Sequence, residues 1–117
     1  MKYLVIDDSK LARLSLIKSL KANVGEAEIF QATNGAEAVD LVINEKPDIA
    51  FLDLTMPVMD GYEALPLMIN NHPKIKVVVV SADIQERAKN KVINLGAQLH
   101  IQKPINIEKM KDILDII

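Results

Sequence analysis

The sequence predicts an α/β fold with a parallel sheet, and three observations predict it. Short apolar runs alternate with longer amphipathic stretches five times along the chain. Two of those runs, Ile49–Leu52 and Val77–Val80, are continuously apolar, the pattern of strands covered on both faces. The order strand, helix, strand, helix then leaves few topologies, because right-handed crossovers place the helices on both sides of one sheet.

Taken in order, the first strand reads Tyr3–Ile6; Ser9 or Asp8 caps the helix after it, and Gly25 stops that helix. Ala27–Ala32 is the second strand, and Asn34 followed three residues later by Glu37 has the capping-box spacing that opens the second helix. After the third strand, Ile49–Leu52, Asp60 caps the third helix and Pro73 lies beyond its end. Four successive β-branched residues favour a strand over a buried helical turn at Val77–Val80, with Asp83 the expected cap of the fourth helix and Gly96 its stop. Leu99–Ile101 is the fifth strand. The last helix, Asn106 to Ile117, sets Ile107, Met110, Leu114 and Ile117 on one stripe.

At 117 residues, half of them hydrophobic, the chain is expected to form a single domain over residues 1–117 with an adequate core. It has no cysteine, which removes disulfides, thiol nucleophiles and thiolate metal sites. No apolar run approaches the roughly 20 residues that span a bilayer. The acidic pair Asp7–Asp8 also interrupts the first apolar run too early for a signal peptide. These features predict a soluble, cytoplasmic protein with no membrane partner. A formal net charge of −2 and 3% aromatics speak against a nucleic-acid surface and against stacking platforms for bases or flavins.

In sheets of this kind, binding sites form beyond the carboxyl ends of the strands. Asp7 and Asp8 follow the first strand, Asp53 the third, Ser81 the fourth and Lys103 the fifth. If the strand order is 2-1-3-4-5, these residues converge on one edge. Two carboxylates about 5 Å apart repel by roughly 3 kcal/mol at an effective dielectric near 20, so three of them call for a cation. Lys103 neutralises one charge, and a hard, oxygen-ligated ion that keeps waters, Mg²⁺, suits the remainder. Each residue also has an ordinary reading. Asp8 is a possible helix cap, Asp53 a loop aspartate, Ser81 a turn residue, Lys103 a solvated charge, and Pro104 the residue that fixes the start of the last helix. Independent ordinary causes would not place all of them at equivalent strand ends.

The stretches VIDDS, ATNGAEA, KPDIAFLDLTMPVMDG, VVVVSAD and LGAQLHIQKPI, in this order and over nearly the whole chain, resemble the CheY-like receiver domains of two-component response regulators. The resemblance implies a flavodoxin-like, doubly wound (βα)5 fold with five parallel strands in the order 2-1-3-4-5. It implies that Asp53 accepts a phosphoryl group from a histidine kinase or histidine phosphotransfer domain. Asp8 would ligate Mg²⁺ directly and Asp7 mainly through water, with Asp53 and the carbonyl of Thr55 completing the protein ligands. Ser81 would bond the phosphoryl group, Lys103 would pair with it, and the Lys103–Pro104 peptide would be cis. Thr55 and Asp83 would tune the lifetime of the phosphorylated state. A switch residue is implied at His100, where relatives often carry Tyr or Phe; a smaller ring that can be charged predicts a weaker, pH-sensitive switch. Relatives dock or dimerise through the fourth helix, fifth strand and fifth helix, here with Lys89, Lys91, His100 and Lys111. Kinases bind relatives near the first helix, where Leu11 and Leu14 exceed a simple apolar stripe.

Such a protein would be a signalling switch that catalyses only its own phosphorylation and slow dephosphorylation, acting on an output partner that the sequence does not name. It would be a stand-alone receiver or the receiver of a longer regulator. Three other classes share parts of this pattern. A phosphohydrolase with an aspartate nucleophile wants Asp-x-Asp on its first strand, where this chain has Asp7–Asp8. A flavodoxin-like electron carrier needs a phosphate-cradling loop where the two aspartates would repel phosphate. A non-phosphorylated interaction module leaves the full set of charged positions without a purpose.

Overall fold

The computed structural model describes residues 1–82 and 85–117. Five strands form one parallel sheet in the order β2-β1-β3-β4-β5. The elements are β1 (Lys2–Ile6), α1 (Lys10–Val24), β2 (Glu28–Ala32), α2 (Gly35–Glu45), β3 (Ile49–Leu52), α3 (Gly61–Asn71), β4 (Lys76–Ser81), α4 (Glu86–Asn94), β5 (Leu99–Gln102) and α5 (Ile107–Ile116). This is the flavodoxin-like arrangement that the resemblance implies.

Alternate strand residues feed two cores, because successive side chains point to opposite faces. Leu4, Ile6, Leu52, Val77 and Val79 pack with Val42, Leu65, Met68 and Val92 from α2, α3 and α4. On the other face Tyr3, Val5, Phe51, Val78 and Val80 pack with Ile17 and Leu20 of α1 and Met110 and Ile113 of α5. Both faces of β3 are buried from end to end, which is why its sequence is apolar without alternation.

The helix ends follow the side chains available. Ser9 accepts the Ala12 N–H and Gly25 closes α1 at φ +70°, while Asp60 accepts the Glu63 N–H and Asn106 the Lys109 N–H. At α2, Asn34 accepts the Glu37 N–H at 2.9 Å, but the Glu37 carboxylate reaches back to the Thr33 N–H at 2.7 Å instead of to the cap residue. The capping box is therefore displaced by one residue. Helix α4 begins at Glu86 with Gln85 in the cap position, and Asp83, the cap read from the sequence, lies outside the described residues.

The apolar stripe of α5 differs from the expected one. Met110 and Ile113 are buried, whereas Ile107 is 48% exposed. Ile107 is the first helical residue, and it is its carbonyl that is held, accepting from Asn23 Nδ2 at 2.9 Å. One turn earlier on α1, the buried Ser19 hydroxyl donates to the Ile105 carbonyl at 3.0 Å. Together these two bonds brace the segment between β5 and α5 against α1.

Candidate functional site

The strand ends explain how the site is built. The Asp7 N–H donates to the Ala32 carbonyl on β2 at 3.1 Å, the Asp53 N–H to Ile6 on β1 at 3.0 Å, and the Lys103 N–H to Ser81 on β4 at 2.9 Å. Each residue is thus the first beyond its strand and still held in the hydrogen-bond ladder. The main chain is fixed by the sheet while the side chain turns over its edge. Ser81 is the last residue of β4, buried, and in register with Gln102 of β5.

Asp7, Asp8 and Asp53 each offer a carboxylate oxygen, and these oxygens lie within 4.8 Å of one another. Asp7 and Asp53 are buried while Asp8 is exposed. Lys103 Nζ stands 2.6 Å from Asp7 Oδ2 and 3.3 Å from Asp53 Oδ1, bridging two of the three. Both Asp7 oxygens are engaged, since its Oδ1 accepts the Ser9 N–H at 2.9 Å. Among the described residues Asp8 takes no hydrogen bond, which leaves its carboxylate available to an ion. Three oxygen donors, one of them open to water, fit a hard divalent cation that retains part of its hydration, and Mg²⁺ is the ion of that description. Asp7, Asp8 and Asp53 are the residues that could hold such an ion.

Burial, and next the neighbouring charge of Asp7, push the Asp53 carboxyl above its ordinary value, against the pull of Lys103. Burial disfavours the Lys103 ammonium, but the hydrogen bond to Asp7 and the charges of Asp53 and Asp7 outweigh it, so its pKa is raised and it stays charged. A buried, like-charged pair of carboxylates with one ammonium between them is a cluster whose charge is not yet balanced.

The Lys103–Pro104 peptide is cis. Thr55, two residues beyond Asp53, is exposed. His100, half-buried on β5, places its Nε2 3.3 Å from Ser81 Oγ. Asp83 lies outside the described residues. Lys91 is not a simple solvated charge, because its ammonium sits 4.2 Å from the centroid of the Tyr62 ring. Leu11 is 80% and Leu14 48% exposed, so the apolar excess on α1 faces outward.

Three features escape a reading of the sequence. Arg13 donates from Nη1 to the Asp7 carbonyl at 2.7 Å; an arginine one turn into a helix reads as a solvated charge, and a main-chain acceptor leaves no mark in sequence. Gly61 packs so closely that a Cβ there would clash with the Asp53 carbonyl oxygen. Val58 occupies the left-handed region at φ +69°, spanned by a Met59 N–H to Pro57 carbonyl bond of 2.8 Å, a γ-turn that glycine would suit better. The MPVMDG stretch around it offered a signal, since a loop that returns immediately to an N-cap aspartate must turn tightly.

Comparison with known proteins agrees with this geometry. A family model described as the response regulator receiver domain matches residues 3–115. The chain is 36% identical over 115 residues to the chemotaxis protein CheY of Listeria monocytogenes, covering 98% of this chain and 96% of that protein. It is 35% identical over 115 residues to the sporulation initiation phosphotransferase F of Bacillus subtilis, covering 95% and 88%. Among solved structures, the CheX–CheY–BeF3–Mg complex from Borrelia burgdorferi superposes with a TM-score of 0.91 at 29% identity, covering 97% of this chain and 86% of that one.

Proposed function

We propose, from the premise that this chain belongs to the response regulator receiver domain family, that it is a signalling switch which takes a phosphoryl group onto Asp53. The observation that carries the reading is the gathering of three carboxylates within 4.8 Å of one another, two of them paired with one ammonium. Such a cluster is incompletely neutralised until it holds a divalent ion.

The chemistry asks little of the protein beyond placement and charge. An Asp53 oxygen attacks phosphorus, the bond from phosphorus to the donor's leaving atom breaks with its electron pair, and an acyl phosphate results. An ionised carboxylate needs no general base. Lys103 pairs with the phosphoryl oxygens and compensates the charge spread over them. Asp8 and Asp53, with the Thr55 carbonyl and with Asp7 through water, would hold Mg²⁺, which would supply Lewis-acid stabilisation of the same oxygens.

The switch follows from the Ser81–His100 contact. The Ser81 hydroxyl turns toward the phosphoryl group, His100 loses that contact, and the surface of α4, β5 and α5 changes. Lys89, Lys111 and His100 lie on that surface, where an output partner or a second copy docks. The donor, a histidine kinase or phosphotransfer domain, approaches over the exposed Leu11 and Leu14. Thr55 and Asp83 set how readily water attacks the acyl phosphate. Among the described residues no helix is long and apolar enough to cross a membrane, and we place the single domain 1–117 in the cytoplasm with no direct nucleic-acid contact.

Intact mass spectrometry after incubation with MgCl2 and a small acyl phosphate tests the reading. Wild-type protein gains one phosphoryl group, and the gain disappears in EDTA and in Asp53→Asn. Modification that persists in Asp53→Asn refutes the assignment. Amide NMR that shows no change around His100 on phosphorylation refutes the switch.

A further inference from the structure

Arg13 lies outside the set that the chemistry requires, yet it is built into the acidic turn. It is the fourth residue of α1, half-buried, and its guanidinium spans two acceptors. Nη1 donates to the Asp7 carbonyl at 2.7 Å and Nε to Gln31 Oε1 at 2.9 Å. Gln31 belongs to β2, which pairs with β1, so one side chain ties α1, β2 and the end of β1 together.

With that bond every polar atom of Asp7 is held: N–H by Ala32, carbonyl by Arg13, Oδ1 by the Ser9 N–H and Oδ2 by Lys103. Asp8 is the opposite case, exposed and without a hydrogen bond among the described residues. The carbonyl gripped by Arg13 is that of the Asp7–Asp8 peptide, whose rotation would swing the Asp8 side chain away from Asp53. A charge-assisted bond from a rigid, planar donor is well suited to stop that rotation.

We infer that Arg13 is a positioning residue of the metal site, acting through the Asp7–Asp8 peptide to hold the Asp8 carboxylate beside Asp53. The inference rests on the reading of the acidic trio as the Mg²⁺ site. It makes a claim opposite in sign to simple electrostatics. A cation near a Mg²⁺ site repels the ion, so charge alone has Mg²⁺ binding tighten when Arg13 is removed, whereas positioning has it weaken.

Isothermal titration with MgCl2 of wild type, Arg13→Ala, Arg13→Lys and Gln31→Ala, alongside melting curves in EDTA, decides the matter. Arg13→Ala is expected to bind Mg²⁺ about 10-fold more weakly, the scale on which partners behind metal ligands act. Arg13→Lys keeps the charge but lacks the fork that reaches both acceptors, and falls short of wild-type affinity. Gln31→Ala, which leaves the Asp7 carbonyl bond in place, weakens binding less and in the same direction. In metal-free protein, amide exchange at Ser9 quickens in Arg13→Ala while that of the central strands does not. Wild type that fails to bind Mg²⁺ overturns the metal reading and this inference with it. Wild type that binds while Arg13→Ala binds equally or more tightly overturns this inference alone, as does a change confined to melting temperature. Should Arg13→Ala not fold, unchanged affinity in Gln31→Ala and Arg13→Lys overturns it on the same terms.

Discussion

Replacing Asp53 by Asn exchanges a buried carboxylate for a neutral amide of nearly the same shape, and in metal-free protein that exchange stabilises the fold. Oxygens of Asp7 and Asp8 lie within 4.8 Å of an Asp53 oxygen, and at an effective dielectric near 20 each repulsion is about 3.5 kcal/mol. Lys103, 3.3 Å away, returns about 5 kcal/mol on the same scale. Water around the exposed Asp8 reduces its share, and the desolvation of Asp53 adds to the unfavourable side. The balance is about 1–2 kcal/mol against the charge, consistent with its raised pKa. For a chain of this length, Asp53→Asn should therefore melt about 4–8 °C above wild type in EDTA.

The difference has a defined pH dependence. An acid whose folded pKa is raised costs nothing below its unfolded value, where it is protonated in both states; its penalty grows as pH rises from there and is complete above the folded value. The gap between the two proteins thus closes on acidification toward the ordinary carboxylate range. Saturating Mg²⁺ does the reverse, raising wild type by about 2.7 kcal/mol at 100 times its Kd and the variant, short of one carboxylate, by less. Far-UV circular dichroism melts in EDTA and in MgCl2 read both effects. An Asp53→Asn protein that melts below wild type in EDTA, or one that gains as much from Mg²⁺, refutes the reasoning.

Other outcomes follow from the same coordinates. Lys103→Ala should keep Mg²⁺ binding but slow phosphoryl capture from a small donor roughly 100-fold, as loss of one oriented donor does elsewhere; the rate of mass gain measures it. Gly61→Ala forces a Cβ against the Asp53 carbonyl. It should cost about 1–3 kcal/mol in urea unfolding, with slower phosphorylation because the backbone that shifts carries the acceptor. Val58→Gly relieves a β-branched residue at φ +69° and should raise stability by about 1 kcal/mol. Because Val58 is 85% exposed, no packing is lost in the change, and a fall in stability would show that its side chain has a role the fold does not reveal.

Much of the architecture could be read from residues because burial on two faces writes itself into side chains. Ile49–Leu52 is a strand with the bounds its apolar run predicts. The strands that outrun their apolar stretches, to Lys2, Lys76, Ser81 and Gln102, do so because the ladder is made by main-chain groups indifferent to what the side chain is. The same division separates the site residues. Asp7, Asp53 and Lys103 were visible because buried charge is costly and needs a reason. Arg13 and Gly61 were not, since one acts on a carbonyl and the other by having no side chain at all. The displaced capping box of Glu37 and the exposed Ile107 belong to a third kind. In both the pattern was right in type and the geometry moved it by a residue or a quarter turn.

The ion pair between Lys103 and Asp7 joins positions 96 residues apart. A chain emerging from the ribosome carries Asp7, Asp8 and Asp53 long before it has the ammonium of Lys103 that tempers them. Their mutual repulsion is therefore worst just before the fifth strand docks. On the function proposed above, capture of a phosphoryl group at Asp53 therefore depends on a docked fifth strand.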